Sequence, residues 1–124
     1  MSFENEKNTL FQAGLKLFNE KNFYDAHEKW EDLWSDYYLK DRLFIQGLIQ
    51  LSVSFVHLRN NNLNGAKSLL SKCKQKFEGL DFQRGIDVKK LLISIEKVQD
   101  NYDQINSSED FNWNLVPRLG QNLE

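Results

Sequence analysis

Between Phe23 and Trp34 the chain sets His27, Glu28 and Glu31 beside Trp30 and Trp34 at helical spacing. A histidine and a carboxylate one turn apart can exchange a proton, share a hydrogen-bond partner or supply two ligands to a metal ion. A second run, Leu43 to Leu58, is apolar but dotted with Gln46, Gln50 and His57. On a helical wheel those three fall in one narrow sector, with Arg42 beside it at the N-terminal end. If the two segments form neighbouring antiparallel helices, the stripe faces His27 and Glu31, and Arg42 or either histidine compensates the glutamate. The candidate groove is therefore lined by His27, Glu28, Glu31, Trp34, Arg42, Gln46, Gln50 and His57.

That set admits several chemistries. His27 and Glu31 have ligand spacing and His57 could be a third ligand, but the segment lacks the second histidine of the zinc-protease helix and the paired Glu-x-x-His elements of di-iron bundles. Neither metal nor cofactor is expected. Acid–base chemistry by Glu31 with His27 and His57 defines a metal-dependent or hydrolase-like alternative, although no nucleophile, phosphate-cradling glycine loop or cofactor fingerprint accompanies it. The same residues also serve as the wet face of a broad amphipathic helix, or as a network that sets helix register. The leading reading is a non-catalytic binding or interaction module. Apolar docking against Trp30 and Trp34 would supply affinity, with hydrogen bonds from His27, Glu31, Gln46 and Gln50 fixing orientation.

The elements that would position this groove are helices. Leu10, Phe11, Gly14, Leu15 and Phe18 form one apolar stripe that ends near Asn22; Phe23 to Tyr37 form a second, with Asp25, Lys29, Asp32 and Asp36 opposite. Asp41 is placed to cap a third, central helix over about Arg42 to Arg59, broken by Asn60 to Asn62. Leu63, Ala66, Leu70, Cys73 and Phe77 make a fourth stripe, stopped by Gly79, and Val88 to Tyr102 a fifth, capped by Asp87. The tail, 106–124, carries Phe111, Trp113, Leu115, Val116 and Leu119 and is expected to pack on the bundle.

Phe18 to Ala26 laid on Leu58 to Ala66 aligns Asn22 with Asn62 and Ala26 with Ala66, an offset of forty positions. Each half reads as a helical hairpin in the manner of tetratricopeptide-like pairs. Two such hairpins stack into a compact bundle, since an open solenoid needs about three repeats. The predicted fold is all-α, a bundle of about five helices in a single domain over 1–124.

Composition agrees. The 124 residues are 40% hydrophobic and 13% aromatic, with one proline and six glycines, too few turn-formers for a sandwich or barrel. A net charge of −2 with interleaved signs offers no basic stripe for nucleic acid and no polybasic anchor for lipid. Cys73 is alone and sits at a core position, which suits a reducing compartment. No signal pattern opens the sequence, and polar residues interrupt the most apolar run before it reaches spanning length. The expectation is a soluble cytoplasmic protein whose partner is a protein or small molecule, with self-association through the third helix or the tail as a further possibility.

Several motifs together resemble a bacterial and archaeal family, domain of unknown function family 309. Its His-Glu-x-x-Glu-x-x-Trp pattern matches His27, Glu28, Glu31 and Trp34, and its Gln-Gly-Leu-Ile-Gln pattern matches 46–50. His57, the Asn62-x-x-Gly-Ala66 turn and Gly85-Ile-Asp87 follow in order, so the resemblance spans about 10–100. Lys40-Asp41 departs from the glycine-containing turn of the family. The resemblance implies a small all-helical fold and no agreed activity.

Overall fold

A computed structural model describes residues 3–120. Its order is α1 (Phe3–Asn19), α2 (Phe23–Asp36), α3 (Arg42–Arg59), α4 (Leu63–Phe77), a two-residue antiparallel pair β1 (Phe82–Gln83) and β2 (Ile86–Asp87), then α5 (Val88–Gln104). Two short 3-10 turns follow, Ser108–Asp110 and Trp113–Leu115. The protein is an all-α bundle in which each helix packs chiefly on its neighbours in sequence, with α3 central. No helix among the described residues is long and apolar enough to cross a membrane.

The forty-residue repeat is reproduced in backbone detail. Lys21 (φ 64) and Asn61 (φ 58) both turn left-handed after a helix. Asn22 N–H donates to Leu17 O at 2.8 Å and Asn62 N–H to His57 O at 2.9 Å, so each helix closes with the same wrapped turn. Ala26 N–H and Ala66 N–H then each start the next helix on the asparagine carbonyl at 3.0 Å. Ala26 and Ala66 are both fully buried, because only a small side chain lets the returning helix approach so closely.

Buried residues from all five helices and the tail join in one cluster, with Trp30, Phe11, Phe18, Phe23, Phe44, Phe55 and Phe77 at its centre. Glycines set the helix spacing. A Cβ on Gly14 would meet the Trp30 ring at 2.1 Å, and one on Gly47 would meet Phe77 at 2.5 Å. Trp30 Nε1 donates to Phe11 O at 3.2 Å in that contact. Ser54 Oγ donates to Ala66 O at 2.7 Å and accepts from Tyr102 Oη at 2.9 Å, tying α3, α4 and α5 with no buried hydroxyl of the pair left over. Burial pushes both the Tyr102 hydroxyl and the Cys73 thiol well above their ordinary pKa values.

In the tail, Phe111 and Leu119 are buried, and Arg59 lies over both Phe23 (4.8 Å) and Trp113 (5.2 Å). Residues 121–124 lie outside the described residues. Asp87 caps α5 by accepting from Lys90 N–H at 3.2 Å. Asp41 does not cap α3 with its side chain; its carboxylate is held by Arg84 through two bonds of 2.6 and 3.2 Å, a charged fork that outcompetes the backbone N–H groups.

Candidate functional site

The eight candidate residues do not form one network. Arg42 reaches from α3 back to α2, donating to Trp34 O at 3.1 Å and stacking its guanidinium over the Trp34 ring at 4.1 Å. That contact joins α2 to α3, but through Trp34 and not through the expected pairing of Arg42 with Glu31. Glu31 does not join it. Its carboxylate is exposed and takes no hydrogen bond or ion pair among the described residues. His27 is occupied within its own helix: Nδ1 lies 2.6 Å from Tyr24 O, so Nδ1 carries the proton, and the ring meets Tyr24 edge-on at 5.0 Å.

His57 serves the turn after α3. Its Nδ1 accepts from Asn62 Nδ2 at 3.3 Å while Asn62 Oδ1 accepts from Gly65 N–H at 2.9 Å, so the imidazole steadies the residue that caps α4. Gln46 and Gln50 are half-buried on α3, and the Gln50 Oε1 is buried without a donor. Trp34 Nε1 is likewise buried without an acceptor. Trp30 is wholly buried and cannot meet a ligand. No group of three or more His, Cys, Asp or Glu among the described residues is placed to hold a metal ion.

Two concavities divide what remains. One, of about 470 Å³, is bordered by Leu17 of α1 and by Asp25, Glu28, Lys29, Glu31 and Asp32 of α2. Glu28 and Glu31 open there, among like charges rather than toward Arg42.

The other, of about 550 Å³, lies where the α2–α3 connection meets the C-terminal end of α4 and β1. Leu39, Phe44 and Leu80 supply apolar surface, Leu43 stands at its edge, and Lys40, Asp41, Arg42, Gln75, Lys76, Glu78 and Gln83 complete it. Leu39 and Phe44 are buried, yet Leu43 is 61% exposed. This groove shares only Arg42 with the sequence-derived set. Leu43 was its available signal: it lies seven residues before Gln50, hence about 20° away on the wheel, an apolar side chain within a polar stripe. The rest depends on Leu80 and Gln83, which come to Leu43 only through the fold.

The fold defines a class of protein, an all-α bundle built from successive helical hairpins. Residues 11–69, a little under half of the chain, match the family model described as Domain of unknown function (DUF309), the family that the sequence resembles. That match takes in α2, α3 and both repeat turns, and stops before the Gly85-Ile-Asp87 element. No curated protein and no solved structure matches the chain.

Proposed function

We propose that this protein is a non-catalytic binding module that docks a segment of a partner protein in the groove between Leu39–Phe44 and Gln75–Gln83. One observation carries the reading: Leu43, on a helix whose neighbours Phe44 and Ile45 are buried, is 61% exposed at the edge of an apolar-floored groove. An apolar floor with a few convergent polar groups is the usual construction of a binding cleft. The hydrolase-like alternative needs Glu31, His27 and His57 to act on one atom. It finds no support in the geometry, since His27 bonds to Tyr24 O of its own helix, His57 bonds to the Asn62 side chain, and Glu31 opens on an acidic concavity. Cytoplasmic residence and tetratricopeptide-like pairing fit this reading.

The test replaces Leu43 with a photoreactive benzoylphenylalanine in the full chain, with Ile93 of α5, equally 61% exposed, as its control. Adducts of defined mass at position 43, absent at 93 and suppressed by excess native protein, are the expected result. Equal adducts at both positions would remove the groove from consideration.

A further inference from the structure

We infer that the groove selects an acidic peptide segment, in which carboxylates flank an apolar anchor; this rests on the docking reading above. Three cationic side chains, Lys40, Arg42 and Lys76, border it against two carboxylates, Asp41 and Glu78. Asp41 is already committed to the fork with Arg84, so Glu78 alone opposes the three cations. Neither Lys40 nor Lys76 forms an ion pair among the described residues. Arg42 spends one N–H on Trp34 O and keeps the rest of its five donors.

A second observation points the same way. Because the Asp41 side chain turns to Arg84, α3 starts without a side-chain cap and with no acid in its first turn. The residues that carry those first-turn N–H groups, Arg42, Leu43 and Phe44, line the groove. Donors and the positive end of the helix dipole therefore add to the cationic rim, and a peptide carboxylate complements both. The rest of the surface sharpens the selection. The chain is net negative, and the concavity of Asp25, Glu28, Lys29, Glu31 and Asp32 sets four carboxylates against one amine, so it disfavours the acidic partner that the groove attracts. Three cations beside a glutamate also fall short of the four to eight basic residues that hold a protein on anionic lipid.

The experiment titrates the ¹⁵N-labelled full chain with three capped hexapeptides that share a central Leu-Phe pair flanked by aspartates, by asparagines or by lysines. Phosphatidylserine vesicles are a fourth probe. The inference expects the aspartate peptide to shift amides of 39–44 and 75–83, at least tenfold more tightly than the lysine peptide, with affinity falling as salt rises. Lys40→Glu with Lys76→Glu should weaken it about tenfold, while binding of the asparagine peptide changes little. Equal binding of all three peptides at those amides would overturn the acidic class and leave the docking groove standing. Vesicles shifting the same amides while no peptide does would reassign the rim to lipid and overturn the inference. No shift with any probe at millimolar concentration would sink both readings.

Discussion

Asn19 and Leu119, one hundred residues apart, are joined by a reciprocal pair of hydrogen bonds: Asn19 Nδ2 donates to Leu119 O and Leu119 N–H donates to Asn19 Oδ1, both at 2.8 Å. A side-chain amide here plays the part of an extended strand, satisfying both backbone groups of a buried leucine at the end of α1. Asn19→Ala removes both partners at once and should cost about 1–3 kcal/mol. Hydrogen exchange localises the effect: amides of 111–120 should lose protection while those of α3 keep theirs. Equal loss across the molecule would mean that the tail is an integral part of the cooperative unit.

Gly14 should tolerate no larger residue. A Cβ there would fall 2.1 Å from Trp30 Nε1, on a ring that is fully buried and bonded to Phe11 O, so either the helices separate or the indole leaves its place. Gly14→Ala is expected to lower stability by about 2–3 kcal/mol in urea unfolding, with blue-edge tryptophan emission shifting red. Gly79→Ala is the contrast. Nothing lies within 4 Å of its Cβ, but its φ of +86 is disfavoured for alanine, and a loss of about 1 kcal/mol is expected.

The bundle should weaken in alkali. Tyr102 and Cys73 have ordinary pKa values of 10.0 and 9.0, and burial raises both in the folded state, so the unfolded chain ionises first. Their protonated forms stabilise the fold fully below pH 9, and that contribution is lost as pH rises through the unfolded values toward the folded ones. Urea midpoints should therefore fall from about pH 9 upward, and Tyr102→Phe should flatten the part above pH 10. Cys73 should resist a disulfide reagent at pH 8 except at the rate of unfolding.

Gln50 sits where a hydrocarbon would serve stability better. Its Oε1 is buried with no donor, and removing an unsatisfied acceptor relieves a cost of about 1–3 kcal/mol, in part offset by the exposed amide that is lost with it. Gln50→Leu should raise the urea midpoint, by an amount equivalent to about 1 kcal/mol. A lower midpoint would show that the amide is satisfied in solution and that the glutamine is structural.

The helices, the paired turns at Asn22 and Asn62 and the Asp87 cap were legible in the sequence because each rests on local rules. A 3.6-residue period marks a buried face, and a short polar residue closes a turn or caps a helix. The same rules placed Gln46, Gln50 and His57 on one stripe of α3, which the helix geometry makes unavoidable. They could not say what the stripe faces. A wheel orients side chains about their own axis, whereas the neighbour is set by how whole helices pack, and here Gly14, Gly47, Ala26 and Ala66 decide that spacing. Asp41 shows the limit most directly. Locally it is a helix cap, but Arg84, forty-three residues on, reaches it from the β1–β2 turn and takes both its oxygens. That long-range charged contact belongs to the tertiary structure alone, and with it come the uncapped start of α3 and the groove between Leu39 and Gln83.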